Sequence, residues 1–233
     1  MIEAEWWEYD SLDELADAVA GDVGFIVESA VDARNASLIA VPGGRTGPAI
    51  FPKLVAQNLP WKRVTIIPTD DRLVPMDDER SNVRAIGKAF IPAGARVIPI
   101  ATEIADYKLA GNSADARLQD LPWPPDLVWL GMGADGHTAS IFAGPDLEAA
   151  LDAPKARRAI GVMPDPLPAE APVPRVTLTR AAILAARTIL ITITGQEKRD
   201  VLEQAIAAGH SSKLPIGRVL AEVEQPIDIH WCP

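Results

Sequence analysis

Short apolar segments alternate with amphipathic segments along most of the chain, and this alternation limits the possible folds more than any other feature. The apolar segments are rich in Val, Ile and Leu, as in strands buried on both faces of a sheet. Strands are predicted at residues 37–41, 64–68, 96–100, 126–131, near 159 and 176, and at 188–194 and 227–231. Helices are predicted at residues 11–33, 48–57, 82–90, 113–121, 180–186 and 196–208. The pattern predicts an α/β fold with a mostly parallel sheet and helices on both faces, doubly wound and Rossmann-like.

The first helix has a clear start. Ser11 is suited to the N-cap and Glu14 occupies the matching capping-box position, whereas Gly21 and Gly24 leave open one helix or two. The proline-rich stretch at residues 164–174 is interpreted as a rigid surface loop, because the strand and helix pattern resumes directly after it and continues the same sheet. Residues 1–233 are therefore expected to form a single domain.

Composition narrows the classes of partner. The formal net charge of −10 and the absence of a basic run argue against nucleic-acid binding. The single cysteine, Cys232, excludes an internal disulfide. The acidic N-terminus does not resemble a signal peptide, and no apolar stretch approaches the thickness of a bilayer. We therefore expect a cytoplasmic protein that binds neither nucleic acid nor membranes, and the sequence does not predict its oligomeric state.

The segment LVWLGMGADGHTASIF is the most informative for function. An apolar strand breaks into a glycine turn at its carboxyl end, where open α/β sheets bind their ligands. His137 lies in this turn, with Asp135 two residues before it, so its imidazole is a candidate base near neutral pH. A structural histidine is the alternative. A metal site formed with Asp135 is a further alternative, but no third ligand is evident nearby.

The glycine-rich stretch VPGGRTGP lies between a predicted strand and a predicted helix. Its backbone N–H groups suit a phosphate next to a helix N-terminus, and Pro48 suits the first helical turn. A tight turn that simply requires glycine is the alternative. The stretch lacks the lysine and the spacing of a P-loop, and it is not a GxGxxG motif.

Cations are also found near the ends of other predicted strands. Arg72 lies in TDDRLVPMDDERSN, which reads either as a solvated acidic loop with Ser81 capping the next helix, or as a loop that presents a fixed guanidinium. Arg175 lies in PRVTLT. Lys198 lies in TGQEK, in the first turn of a helix, where the helix dipole disfavours a cation unless an anion is nearby.

Taken in order, PGGRTGP, TDDRLVPMDDERSN, LGMGADGHTASIF, PRVTLT and TGQEK resemble the 6-phosphogluconolactonases, a family grouped with the glucosamine-6-phosphate deaminases. The resemblance spans residues 42 to 198, and LGMGADGHTASIF is its most specific part. The chain departs from the family at Arg45, where a small residue is usual, and at Asp70-Asp71-Arg72, where Asp-Glu-Arg is common.

The resemblance implies hydrolysis of 6-phospho-D-glucono-1,5-lactone to 6-phospho-D-gluconate in the oxidative pentose phosphate pathway, with no cofactor and no metal. His137 would be the general base that activates water, and Arg72 would stabilise the oxyanion or orient the carbonyl. Asp135 would position the water, the histidine or a sugar hydroxyl. The phosphate would be held by the following residues: Gly43, Gly44, Arg45, Thr46, Arg175 and Lys198.

Two alternatives remain open. The related deaminases have an Asn-Glu-Pro stretch after the histidine, whereas residues 138–145 of this chain contain no Asp or Glu. A sugar-phosphate sensing domain of a transcription regulator has a similar fold without catalysis, but it carries a helix-turn-helix segment, and the N-terminal helix here is acidic and leads directly into the sheet pattern.

Overall fold

Strands and helices alternate along residues 2–44, 46–101 and 103–233, which are the residues described by the computed structural model. The strands are β1 (Ala4–Glu8), β2 (Ser37–Val41), β3 (Val64–Pro68), β4 (Asp70–Arg72), β5 (Arg96–Val97), β6 (Leu127–Gly131), β7 (Ala159–Val162), β8 (Arg175–Leu178), β9 (Thr188–Thr194) and β10 (Ile227–Cys232). The helices are α1 (Leu12–Arg34), α2 (Thr46–Val55), α3 (Asn82–Phe90), α4 (Tyr107–Gln119), α5 (Leu147–Leu151), α6 (Arg180–Leu184), α7 (Gln196–Ala208) and α8 (Pro215–Leu220).

Seven strands form a parallel sheet in the order β1-β10-β9-β6-β2-β3-β5. One apolar core packs α1, α2 and α3 against one face of this sheet, and a second core packs α4, α7 and α8 against the other. The predicted α/β fold, with a mostly parallel sheet between two helical layers, is confirmed.

A second, antiparallel sheet corrects one part of the prediction. The strands near residues 159 and 176 do not continue the large sheet; they are β7 and β8, which form a three-stranded sheet in the order β4-β8-β7. β4 consists of Asp70, Asp71 and Arg72, so its polar sequence gave no strand pattern. Only one residue separates the end of β3 from β4, the first strand of the small sheet in chain order. The small sheet therefore lies at the carboxyl edge of the large sheet.

The best predicted elements have distinct starts and ends. β2, β3, α3, β9 and α7 have the predicted bounds, and α1 is one continuous helix whose first turn is capped by the Ser11 hydroxyl, which accepts a hydrogen bond from the Glu14 amide at 3.2 Å. β5 is shorter than predicted and α4 begins at Tyr107 rather than near residue 113, because Asp106 caps it. β1, β4, α5 and α8 were not predicted. None of the helices in the described ranges combines the length and apolar character needed to cross a membrane.

The strand order changes direction between β2 and β6. From β2 the chain continues to β3 and β5 on one side, and from β6 it continues to β9 and β10 on the other. In open α/β sheets, ligands bind in the crevice outside the carboxyl ends of strands at such a switch point. The glycine loop follows β2 and the Asp-Gly-His turn follows β6, so these two segments border that crevice.

His230, to which the sequence assigned no role, lies buried at the β1 edge of the large sheet. Its ring stacks on Tyr9, and its Nδ1 lies 2.9 Å from the Tyr9 hydroxyl. Burial lowers the pKa of His230 to about 4, although the charge of Asp228 opposes the shift. The folded protein therefore holds this histidine neutral.

Acidification should destabilise the fold through His230. His230 binds a proton near pH 6.5 in the unfolded chain but only near pH 4 in the folded protein, so protonation favours the unfolded chain. The stability that depends on the neutral histidine is therefore complete above pH 6.5 and is lost as the pH falls. We expect the free energy of unfolding to fall by about 2 kcal/mol from pH 7 to pH 5 through this residue. Urea unfolding of the wild type and His230→Gln at both pH values measures the difference. Equal pH dependence in the two proteins would refute the prediction.

Candidate active site

The predicted site residues lie at the carboxyl ends of neighbouring strands. The glycine loop follows β2, Arg72 lies in β4 just after β3, His137 follows β6, and Lys198 follows β9. β3, β2, β6 and β9 are adjacent in the large sheet. Because parallel strands end at the same edge, the four segments border one crevice.

His137 and Asp135 form a hydrogen-bonded pair. The imidazole Nδ1 lies 2.5 Å from Asp135 Oδ1, and the His137 amide donates to the same oxygen at 3.2 Å. An ionised carboxylate only accepts hydrogen bonds, so Nδ1 carries the proton and Nε2 of the neutral ring keeps the lone pair that a base needs. The ring also stacks on Phe142, with 4.2 Å between ring centroids. Both contacts hold the imidazole in one orientation.

The charge of Asp135 is set by two opposing effects. Burial raises the pKa of Asp135, but the hydrogen bond and the charge of His137 outweigh burial, so the pKa lies below its ordinary value. Asp135 is therefore ionised at neutral pH and would stabilise a protonated His137. For the metal alternative, the described ranges contain no cluster of three His, Cys, Asp or Glu side chains suited to a metal ion.

Gly133 allows the close approach of this pair to the turn. A Cβ at residue 133 would lie 2.3 Å from His137 Nδ1 and 2.6 Å from Asp135 Oδ1, which is too close for any side chain. The Gly133 amide also donates to the His137 carbonyl at 2.9 Å and closes the turn. Gly133 therefore brings the backbone directly beneath the imidazole.

Arg72 and Arg175 lie directly opposite each other on β4 and β8. Like charges at opposed positions of antiparallel strands are destabilising, so this arrangement favours an anion between or beside the two guanidinium groups. The Nε atoms of both are buried, and neither has a hydrogen-bond partner among the described residues. This juxtaposition was not predicted from the sequence.

The two arginines are held differently. Arg72 Nη1 donates to the Arg80 carbonyl and to Asn82 Oδ1, both at 2.7 Å. Arg175 is almost fully buried, donates to the Ala171 carbonyl at 3.2 Å, and lies over Phe142 at 5.1 Å from the ring centroid. Burial lowers the pKa of Arg175, and the charge of Arg72 adds to this, while the charge of Asp70 opposes it. Phe142 thus contacts both Arg175 and His137.

The glycine loop leads directly into a helix. Gly44 has a φ of +69° and is exposed, and Thr46 is the first residue of α2, two residues earlier than the predicted helix start. The amides at the start of α2 therefore face the carboxyl edge of the sheet, as the phosphate prediction requires. Arg45 lies outside the described residues.

Lys198 lies in the first turn of α7 and contacts the turn after β6. Its Nζ donates to the Met132 carbonyl at 2.6 Å. Met132 immediately precedes Gly133, so the ammonium group is bound on the His137 side of the crevice. The structure therefore brings Lys198 into the site region that the sequence predicted for it.

The interpretation of residues 69–82 as a solvated acidic loop is wrong for its first two acids. Asp70 and Asp71 are buried, whereas Asp77 and Glu79 are exposed. Asp71 accepts hydrogen bonds from the amides of Asn82 at 2.6 Å and Val83 at 3.0 Å, and so fixes the start of α3. Burial raises the pKa of Asp71 to about 6, while these amides oppose the shift.

Sequence reasoning missed three residues of the site. They are Asn82, which binds Arg72; Phe142, which stacks on His137; and Ser140, whose hydroxyl donates to Asp70. Asn82 directly follows the predicted cap Ser81, which the structure confirms through a 3.3 Å hydrogen bond from the Arg84 amide. Ser140 and Phe142 lie in the segment LGMGADGHTASIF, which was the available signal for them.

One group of known proteins matches this chain in both sequence and structure. Residues 10–231 match the family described as glucosamine-6-phosphate isomerases/6-phosphogluconolactonase. The chain is 36% identical over 229 residues to a 6-phosphogluconolactonase of Rhizobium meliloti, with 97% of both chains covered. It is also 36% identical over 234 residues to a 6-phosphogluconolactonase of Mesorhizobium japonicum, with 98% of this chain and 95% of the relative covered. The crystal structure of a 6-phosphogluconolactonase from Shewanella baltica has a TM-score of 0.90 at 30% identity and covers 99% of this chain and 98% of that chain.

Proposed function

This chain belongs to the glucosamine-6-phosphate isomerase/6-phosphogluconolactonase family, and on that basis we propose that it hydrolyses 6-phospho-D-glucono-1,5-lactone to 6-phospho-D-gluconate in the oxidative pentose phosphate pathway. The observation that carries the proposal is the His137–Asp135 pair at the sheet's switch point, beside the opposed Arg72 and Arg175. A base and two cations in one crevice suit a substrate with an electrophilic carbonyl and a phosphate.

His137 acts on water. Nε2 takes a proton from the water whose oxygen forms a bond to the lactone carbonyl carbon, and the carbonyl oxygen becomes an oxyanion. When this intermediate collapses, the bond from that carbon to the ring oxygen breaks, and the imidazolium returns its proton to the ring oxygen. The product is a carboxylic acid that then releases a proton to solvent. A lactone carbonyl is reactive enough that no covalent intermediate with the protein is required.

Asp135 acts through His137. Its carboxylate holds the proton on Nδ1 before the reaction and stabilises the imidazolium during it. Of the three roles that the sequence left open for Asp135, the hydrogen bond favours positioning of the histidine.

The cations divide between the phosphate of the substrate and the oxyanion that forms during the reaction. Arg72 stabilises the oxyanion, because a guanidinium aimed at developing charge acts more strongly in the transition state than in the bound substrate. The phosphate binds to the glycine loop and to nearby cations, that is, to Gly43, Gly44, Arg45, Thr46, Arg175 and Lys198. The Nε of Arg175 is buried and has no hydrogen-bond partner in the part of the chain that the structure describes, which supports its part in this set.

The proposal also covers the domain organisation, the partners and the cellular location of the protein. We treat residues 1–233 as one domain, because the family match spans residues 10–231 and the site draws on segments from both sheets. The acidic composition favours a protein that does not bind nucleic acid, and the single cysteine is compatible with a reducing cytoplasm.

A comparison of substrates tests this function. The purified protein is supplied with 6-phosphogluconolactone and, separately, with glucosamine 6-phosphate. We expect 6-phosphogluconate from the first and no ammonia from the second. Release of ammonia would instead support the deaminase alternative, and tight binding of either compound without turnover would support the sensing domain.

Lys198→Ala should separate phosphate binding from chemistry. Loss of the ammonium is expected to raise KM for the phosphorylated lactone by roughly tenfold or more, because a charge-assisted contact to phosphate is lost. Slow turnover of unphosphorylated gluconolactone should be almost unchanged. Steady-state kinetics on both lactones give the contrast.

Lys88→Ala is the matched control, since Lys88 is exposed in the last turn of α3. It should leave both activities unchanged. If Lys198→Ala lowers both activities in the same proportion, Lys198 acts in catalysis or folding; if it lowers neither, Lys198 does not contact the substrate.

A further inference from the structure

Asn82, the first residue of α3, connects Arg72 to the buried start of the small sheet. Its Oδ1 accepts a hydrogen bond from Arg72 Nη1 and its Nδ2 donates to the Asp70 carbonyl, both at 2.7 Å. A guanidinium only donates and a carbonyl only accepts, so these two partners determine which end of the amide faces Arg72. Asn82 is 3% exposed, and water therefore has little access to either bond.

The glycine loop leaves Asn82 no room to move. A Cβ at Gly43 would lie 1.9 Å from Asn82 Oδ1, so the loop backbone rests directly on the amide. The backbone amide of Asn82 is in turn bound to Asp71 at 2.6 Å. The side chain is thus held from both sides while it binds Arg72.

We propose that Asn82 is a positioning residue for the lactonase reaction, which it serves by holding the Arg72 guanidinium in the direction of the oxyanion. This inference rests on the proposed function. Only an amide side chain offers an acceptor to Arg72 and a donor to Asp70 at this length. Aspartate would place a second carboxylate against Asp70, and serine is too short to reach both partners.

Without Asn82, the Arg72 guanidinium keeps the hydrogen bond from the same nitrogen to the Arg80 carbonyl, at 2.7 Å. One bond to a long side chain defines its direction poorly. A misplacement of about 1 Å can reduce the rate by about 10²-fold, so we expect Asn82→Ala to lower kcat by roughly tenfold. KM should change by less than about twofold, because Arg72 acts mainly on the transition state.

A double-mutant cycle with Arg72→Lys tests whether Asn82 acts through Arg72. If it does, Asn82→Ala costs roughly tenfold in kcat when Arg72 is present and less than about threefold in the Arg72→Lys background. Equal losses in the two backgrounds would overturn the proposal.

Ser81→Ala is the matched structural control. Ser81 caps the same helix and its hydroxyl donates to Asp71 at 3.3 Å, but among the described residues its side chain has no hydrogen bond with Arg72. Loss of the Ser81 hydroxyl should lower the free energy of unfolding by about as much as the removal of other helix caps does. It should leave kcat unchanged. If Ser81→Ala lowers kcat as much as Asn82→Ala does, the effect belongs to the helix and the proposal fails.

A measurement without substrate separates this inference from the proposed function. In arginine-labelled protein, the signal that disappears in Arg72→Lys identifies Arg72 by nuclear magnetic resonance. We expect slow rotation of that guanidinium in the wild type and fast rotation in Asn82→Ala. Fast rotation in the wild type would refute the role of Asn82, whereas absent lactonase activity with slow rotation would refute only the proposed function.

Discussion

His137→Ala is expected to lower kcat for 6-phosphogluconolactone by roughly 10²–10⁴-fold, the usual contribution of a general acid and base. The imidazole is held by Asp135 at 2.5 Å and by the Phe142 ring, so its Nε2 is the base already in place when water enters the crevice. Alanine at residue 137 leaves the Asp135 carboxylate and the Phe142 ring in place but removes the imidazole that moves the proton. KM should change little, because the imidazole contributes to the transition state rather than to phosphate binding.

His210→Ala is the matched control, since His210 is exposed and belongs to a short turn after α7. It should retain wild-type kinetics. Circular dichroism and thermal unfolding establish that both variants are folded. A folded His137→Ala protein with wild-type kcat would exclude His137 as the base.

Arg72→Lys is expected to lower kcat/KM by roughly 10²–10³-fold, the loss of about 2.7–4 kcal/mol seen when an oxyanion donor is removed. The change keeps the positive charge but replaces a planar group with several donors by a single ammonium. Lysine cannot bind Asn82 and the Arg80 carbonyl and also present a further donor towards the crevice with the same geometry. The effect should fall mainly on kcat.

Arg80→Lys provides the control for a conservative change in the same segment. Arg80 is exposed, and its guanidinium pairs with Asp78 at 2.6 Å. We expect kcat/KM to be unchanged in this variant. If Arg72→Lys behaves like Arg80→Lys, Arg72 has no part in the reaction.

The parallel sheet could be predicted because its strands and helices carry local signals. β9 consists of β-branched residues and one leucine and ends directly before Gly195, and α3 begins directly after the capping residue Ser81. The small sheet carries no such signal. β4 has the sequence Asp-Asp-Arg, and it becomes a strand only because β8, about a hundred residues later, pairs with it. α4 contains Gly111, which argues against a helix locally but allows the Gly161 backbone of β7 to pack against it.

The candidate site, like the fold, could be predicted where it depends on local sequence and not where it depends on long-range strand pairing. The Asp135–His137 pair is local, so an acid two residues before a histidine in a glycine turn was enough to single out both residues, although positioning of the histidine was only one of three roles left open for Asp135. The opposition of Arg72 and Arg175 depends on long-range strand pairing, and no property of either segment alone reveals it. Asp70 and Asp71 were expected in solvent because acids usually are, but the amides at the start of α3 and the Ser140 hydroxyl satisfy them in the interior.

Acid release from freshly generated 6-phosphogluconolactone tests the central claim most directly. The lactone opens spontaneously, so a control without protein is needed. The amount of base that must be added to hold the pH constant is recorded with the wild-type protein, with His137→Ala and without protein. We expect the wild type to accelerate acid release in proportion to its concentration, and the His137→Ala protein to lie close to the spontaneous rate. A wild-type rate equal to the spontaneous rate would contradict the proposed hydrolysis.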